Sequence, residues 1–262
     1  MHRVFDCGLV YDQFEIFRAA GIVHGIFTRH GGVSTTPWAT LNMSTSTGDS
    51  LEAVCENYRR ALRVLGLRED RSATTWMVHG NAVCVVEPEA LANFRRDRAP
   101  QADALVTRAR GVSLSLRFAD CLPVLLFDPV RGAVGLIHAG WRGVVNGVVQ
   151  ATVLTMQRAF GSRPADILAG IGPSIGPTQY QVGADVAGQI ARASTCAAVR
   201  WDEQRHGWFA DLWQAAAHQL RQVGVTEIEI AGVCTASHTS DWFSHRAEGE
   251  RTGRFGAMIA LQ

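Results

Sequence analysis

FADCLPVLLFDPVRGAVGLIHAGWRG, residues 118–143, carries two short apolar runs separated by a polar turn. The runs at 122–127 and 133–138 are too short for helices and rich in branched aliphatic side chains, so both are expected to be strands. DPVRG, the five residues between them, has the length and the Pro/Gly content of a hairpin turn, which makes the pair antiparallel. With the hairpin centred near Val130, facing residues sum to about 260. His138 then lies across from Leu122 and next to Cys121, so a thiol and an imidazole 17 residues apart become neighbours.

Outward from this hairpin the chain mixes both periodicities. Further strands are expected at 22–28, 112–118, 167–171, 227–233 and 255–261. Leu51, Val54, Tyr58, Ala61, Leu62 and Leu65 recur at helical spacing behind a capping Asp49 or Ser50, which predicts a surface helix over 51–65. Helical patterns return at 144–160, 186–193 and 211–223. Gly31, Gly32 and Pro37 break regular structure in RHGGVSTTPWATLNMS, leaving a long ordered loop of the kind that carries function. Strand and helix do not alternate as βαβ units. The expected fold class is therefore α+β, with mixed, largely antiparallel β-sheets flanked by helices, in a single domain over residues 1–262.

Composition narrows the chemistry. At 262 residues, 47% hydrophobic and 19% charged, the chain can bury a core. All 25 basic residues are arginine, so no Schiff-base lysine, pyridoxal anchor or phosphate-loop lysine exists. The 25 basic residues face 24 acidic ones, which argues against nucleic-acid binding driven by counterion release. No apolar run reaches the roughly 18 residues of a membrane span, and Asp6 and Asp12 interrupt the opening segment, so neither a membrane anchor nor a signal peptide is expected. Six dispersed cysteines without a CxxC fit reduced thiols and a cytoplasmic location.

Three segments place a metal-capable side chain at the edge of an apolar run: WMVHG with His79, ADCLP with Cys121 and GLIHAG with His138. Two imidazoles and a thiolate suit zinc, and three protein ligands leave a fourth position open, the pattern of a catalytic site. Isolated His and Cys beside strands are more often packed or hydrogen-bonded residues, and spacing alone does not decide. The same residues also permit a metal-free cysteine hydrolase, with Cys121 as nucleophile, His138 as base and Asp120 or another carboxylate orienting the ring. A metal-binding regulatory protein without turnover is a third reading. HExxH, GxSxG, HxH and the HxE…PCxxC pattern of zinc deaminases are all missing.

TRHGGVS (28–34), PWATLN (37–42), ENYRR (56–60), VHG, ADALVT (102–107), ADCLPVLLFDP, HAGWRG, GIGPSIGP and CT…FSHR…TGR occur in this order. Together they resemble the laccase-domain family of purine nucleoside phosphorylases, formerly called polyphenol oxidases, over nearly the whole chain. The resemblance implies a zinc enzyme that phosphorolyses adenosine, inosine, guanosine and methylthioadenosine and deaminates adenosine, with purine nucleoside and phosphate as partners and zinc favoured over copper. It maps the zinc ligands onto His79, Cys121 and His138. Arg29, Arg59, Arg142 and Arg246 lie in its motifs and are candidates for substrate or phosphate contact, with about two of the four expected to touch substrate. Asn42 is a candidate for reading a base or ribose edge, and Trp141 and Phe243 for stacking. Met77 stands where the family usually has Gln and Ala247 where it usually has Arg, which bears on substrate preference more than on metal binding.

Overall fold

The computed structural model describes residues 1–18 and 21–262. Its strands in chain order are β1 His2–Asp6, β2 Leu9–Gln13, β3 Ile22–Phe27, β4 Ser72–Ala73, β5 Val83–Val85, β6 Ala104–Thr107, β7 Ser113–Phe118 and β8 Leu122–Asp128. They continue with β9 Ala133–Ala139, β10 Leu168–Ile171, β11 Gln181–Val182, β12 Val199–Asp202, β13 Gly207–Ala210, β14 Glu227–Ile230 and β15 Phe255–Leu261. The α-helices are α1 Leu51–Val64, α2 Trp141–Val145, α3 Val148–Phe160, α4 Ala184–Ala193, α5 Leu212–Gln222 and α6 His245–Glu248.

Two six-stranded sheets dominate, in the orders β1-β2-β3-β15-β7-β4 and β14-β10-β8-β9-β6-β5, and β11-β13-β12 form a small third sheet. Among the described strands only the β4–β7, β5–β6 and β10–β14 pairs are parallel, so the α+β class with mixed, largely antiparallel sheets is observed. The large sheets pack face to face because their central strands are apolar on both sides. Leu125, Phe127, Val134 and Leu136 meet Leu116, Phe118, Phe255 and Ile259 between the sheets. On the other face of β8 and β9, Val124, Leu126, Ile137 and Ala139 join Val149, Val153 and Met156 of α3 and Leu212, Ala216 and Leu220 of α5. Helix α1 covers the outside of the first sheet, laying Tyr58, Ala61 and Leu62 against Tyr11 and Met258. Each large apolar side chain fully buried this way contributes about 1.5–3 kcal/mol.

The central hairpin forms, but its register differs by one residue from the expected one. Asp128 pairs with Ala133, which leaves a four-residue loop, and Pro123 rather than Leu122 faces His138. The Asp128 carboxylate takes the backbone N–H groups of Val130 (2.8 Å) and Arg131 (3.0 Å), and Gly132 closes the turn at φ +59. The shift matters because side chains alternate faces. Paired residues sum to 261, which puts Cys121 and His138 on one face of the sheet, whereas a sum of 260 would put them on opposite faces.

The helix expected over 144–160 is two helices. It begins earlier, at Trp141, and breaks at Gly147, whose left-handed φ of +75 no helix interior accommodates. Alternation does not announce the β1–β2 hairpin because Arg3, Asp6 and Asp12 interrupt it. Arg3 ties that edge down by ion pairs to Asp12 (2.9 Å) and Asp241 (2.6 Å).

His24 of β3 is buried, and its Nε2 accepts the Phe14 N–H at 2.8 Å, a bond that requires the unprotonated ring. Burial, with a smaller contribution from His2, holds its pKa down at about 4. The unfolded chain takes up this proton near pH 6.5 and the folded chain does not, so stability falls as pH drops from 6.5 towards 4. The expected loss is about 3 kcal/mol across that window. A melting series from pH 7.5 to 4.5 checks it, with His24→Gln expected to flatten the slope; an equal slope in the variant excludes His24 as the source.

Candidate metal centre

The register just described brings Cys121, immediately before β8, beside His138 in β9. His79 reaches the same place from the loop between β4 and β5, with its backbone in the left-handed region at φ +60. Such a conformation costs a non-glycine residue roughly 1–2 kcal/mol, so something must hold it. Asp103, fully buried just before β6, does so. Its carboxylate accepts the backbone N–H groups of Val78 (3.2 Å), His79 (3.0 Å) and Gly80 (2.7 Å) and also His138 Nδ1 at 2.9 Å. One side chain therefore fixes the loop under the first histidine and the ring of the second. Gly140 completes the fit: a Cβ there would stand 2.9 Å from His79 Cδ2 and 3.0 Å from Cys121 Sγ.

One donor atom from each of His79, Cys121 and His138 lies within 4.8 Å of the others, and Cys121 Sγ is 3.7 Å from His79 Nε2. Tetrahedral zinc, with Zn–S near 2.3 Å and Zn–N near 2.0 Å, separates its ligands by about 3.5 Å, so these donors suit such an ion with small adjustments. Burial raises the Asp103 carboxyl, but hydrogen bonds from His138 and the Gly80 amide outweigh it and hold the acid ionised. An ionised carboxylate only accepts, so Nδ1 of His138 carries a hydrogen and Nε2 is the atom left to face the centre, where a bound metal ion would displace its proton. Burial opposes a charge on Cys121, yet the two neighbouring imidazoles bring the thiol down to about 6. Burial likewise lowers His138, and the adjacent thiolate with Asp103 overcomes it, lifting the ring to about 9.

Asp120, considered above as the group orienting the imidazole, does something else. Its carboxylate accepts Thr235 Oγ1 (2.6 Å), Ser244 Oγ (2.7 Å) and the Arg246 N–H (2.6 Å), so it binds distant loops to the edge of the centre. The orienting carboxylate is Asp103, which stands in the ADALVT motif but is separated from His138 by 35 residues.

The centre opens into a cavity of about 330 Å³ whose walls include Ser44, Trp76, Met77, Arg117 and Arg254. None of the four arginines singled out by motif lines it. Arg29 pairs with Glu248 at 2.8 Å and lies over the Phe243 ring, itself fully buried. Arg59 is ion-paired with Glu56 on α1, and Arg142 lies over Trp141 at 4.4 Å. Arg246 donates to the carbonyl of Gln181 at 3.1 Å and lies over Tyr180. Asn42 is buried and structural: it donates to Asp49 at 2.9 Å and accepts the Arg254 N–H at 2.9 Å. It thus shapes the loop that carries Ser44. Arg117 and Trp76 were legible only as neighbours of the ADC and VHG motifs, since their common cavity depends on how the sheets stack.

The family model described as multi-copper polyphenol oxidoreductase laccase matches residues 23–262. A purine nucleoside phosphorylase of Deinococcus radiodurans is 38% identical over 92% of this chain and 89% of its own. Purine nucleoside phosphorylase YlmD of Geobacillus stearothermophilus is 37% identical over 92% and 90%. The crystal structure of YlmD from Geobacillus stearothermophilus superimposes with a TM-score of 0.91 at 33% identity, covering 100% of both chains. That of the Bacillus licheniformis hypothetical protein YfiH gives 0.91 at 30% identity over 99% of each. With the fold shared from end to end and the family model spanning β3 to the last strand, the chain belongs to the multi-copper polyphenol oxidoreductase laccase family.

Proposed function

We propose that the protein is a cytoplasmic zinc enzyme of purine nucleosides, with phosphorolysis of adenosine, inosine, guanosine and methylthioadenosine and deamination of adenosine in one cavity. The observation that carries this is the convergence of His79, Cys121 and His138 in the lining of a cavity, in a chain whose relatives bear the name purine nucleoside phosphorylase. Two histidines and a thiolate also suit copper. A multicopper oxidase needs several copper sites, and the described residues contain one three-donor group, which favours zinc. A zinc ion held there supplies Lewis-acid polarisation and acidifies a water molecule to a pKa near ~7.

The chain's own residues do the rest. Asp103 fixes the donating edge of His138, and the Asp103–His79 contact fixes the loop. Trp76 is 53% exposed at the cavity, although its backbone is pinned by hydrogen bonds to Pro100 (2.9 Å) and Ala102 (3.2 Å). An exposed indole on a pinned backbone offers a face on which a purine stacks. Met77, in place of a polar side chain, keeps the neighbouring wall apolar.

Incubating the purified, metal-analysed protein with each nucleoside, with and without phosphate, tests the reading by the release of free base and of ammonia. Neither product with any nucleoside rejects it. Trp76→Ala is expected to raise KM for nucleosides by about 5- to 100-fold, as loss of one stacking contact of 1–3 kcal/mol requires, with zinc content unchanged. An unaltered KM removes Trp76 from the site.

A second reading has its own support: Cys121, His138 and Asp103 also stand in the order nucleophile, base and orienting carboxylate. It requires thiol alkylation to abolish activity while chelation leaves it intact.

A further inference from the structure

Among the described residues, the walls of the cavity beside the metal centre hold two guanidinium groups, those of Arg117 and Arg254, and no carboxylate. Arg117 belongs to β7 and Arg254 directly precedes β15. These strands pair antiparallel with Phe118 opposite Phe255 and Arg117 opposite Gly256. In that register Arg254 is the diagonal neighbour of Arg117 on the same face of the first sheet, a relation that sets Cβ atoms somewhat less than about 7–8 Å apart. Both guanidinium groups line the same cavity.

Both are anchored from behind. Arg117 donates from Nη2 to the Thr75 carbonyl at 2.8 Å and from Nη1 to Thr74 Oγ1 at 3.4 Å. Arg254 donates from Nη1 to the carbonyls of Thr252 (2.6 Å) and Gly253 (2.9 Å). Their Nε–H groups and the Nη2 of Arg254 find no acceptor among the described residues. Some partly buried arginines pair with acids, as Arg3 and Arg29 do, whereas neither Arg117 nor Arg254 has a carboxylate within ion-pair reach among the described residues. Arg96, stacked over Tyr58 at 4.5 Å, adds a like charge near Arg117. Cys121 and Asp120 act on Arg254 from a distance, but their charge leaves the free N–H donors of both arginines without an acceptor, and guanidinium forks match tetrahedral oxyanions.

We propose that Arg117 and Arg254 form an oxyanion site beside the metal centre and that its ligand is inorganic phosphate. Its identity as phosphate rests on the phosphorolysis proposed above; the existence of an oxyanion site does not. The bound hydrogenphosphate attacks ribose C1′ through one oxygen, forming the C–O bond. The bond from C1′ to the purine nitrogen breaks, its electron pair leaves with the purine, and the phosphate's own proton passes to that nitrogen directly or through solvent. Ribose 1-phosphate and free base result. The two arginines hold the dianion's remaining oxygens and compensate its charge.

Titration calorimetry with inorganic phosphate on the zinc-loaded protein tests this. Wild type is expected to bind, and Arg117→Met and Arg254→Met are each expected to weaken binding at least tenfold. In steady-state phosphorolysis KM for phosphate should rise by a similar factor, with KM for inosine changing much less. On the unmodified protein, phosphate should protect Arg117 and Arg254 from phenylglyoxal, read by peptide mass spectrometry, which keeps the test decisive if a variant does not fold. Wild-type affinity in both variants, or no protection of either arginine, overturns the site. If adenosine 5′-monophosphate binds tenfold tighter than adenosine and phosphate competes with it, the group held is a phosphate ester and the inorganic assignment is overturned. Phosphate binding at these arginines in a wild type that turns over no nucleoside would retain the site and reject the proposed function.

Discussion

Cys121→Ala is expected to remove zinc and both activities together. Wild type should hold about one zinc per chain, and the variant less than about a tenth of that, because two remaining imidazoles hold the ion poorly. Deamination of adenosine and phosphorolysis of inosine attack different carbons, C6 of the base and C1′ of the sugar, and so need different substrate positions. Both should nevertheless fall by about a thousandfold or more, the size expected when several kcal/mol of polarisation disappears with the ion. A chelator should reproduce the loss in wild type, and added zinc should reverse it. Circular dichroism and melting must stay close to wild type, since a collapsed hairpin would also abolish activity. Survival of either reaction in protein stripped of zinc would make a shared metal mechanism wrong and return Cys121 to consideration as a nucleophile.

Asp103→Ala is expected to have the largest effect on stability of any single change near the site. The substitution leaves the N–H groups of Val78, His79 and Gly80 and the His138 Nδ1–H without their common acceptor in a fully buried position. At about 1–3 kcal/mol for each unsatisfied donor, offset in part by water entering the space, the loss should be about 3–5 kcal/mol. The left-handed backbone of His79 then has nothing to hold it, and the ring of His138 is free to turn. Zinc affinity should drop about 10- to 100-fold, as found generally when a carboxylate behind a metal-binding histidine is lost. Denaturant melts with and without zinc separate the two effects. Asp103→Asn keeps one acceptor oxygen and should recover part of the stability but less of the metal affinity, since its amide nitrogen opposes backbone donors. A variant as stable as wild type, with equal zinc affinity, would remove Asp103 from the role given to it here.

Much of the centre was legible along the chain because its parts obey local rules. A turn between two apolar runs makes a hairpin, and a hairpin makes neighbours of Cys121 and His138. His79 was legible through its motif rather than through any geometry, because nothing in its sequence neighbourhood shows which strand it approaches. Asp103 was not legible at all as a ligand-orienting group. Its four partners come from two other segments, and only the β6–β9 pairing, with Ala104 opposite Ile137, brings it beside His138. The arginines illustrate the same limit. With 25 of them and no lysine, composition cannot distinguish those that serve ion pairs from those that face the cavity. Arg29 sits in a distinctive motif yet is bound to Glu248, whereas Arg117 is inconspicuous and lines the cavity.

The sequence by itself determined the fold class, the central hairpin, the helix over most of residues 51–65 and the three residues that gather at the centre. Each follows from periodicities of 2.0 or 3.6 residues, from turn chemistry, or from motifs whose spacing is local. Tertiary structure alone decided the hairpin register, the stacking of the two sheets and which charged side chains share a cavity. Register turns on a single residue of loop length, and loop length on whether Asp128 pairs with Ala133 or joins the turn; in the folded chain Asp128 pairs with Ala133 while its carboxylate accepts the N–H groups of Val130 and Arg131. The cavity's charge depends on which arginines find carboxylates after the strands are in place. That matching is made across long sequence separations, where periodicity carries no information.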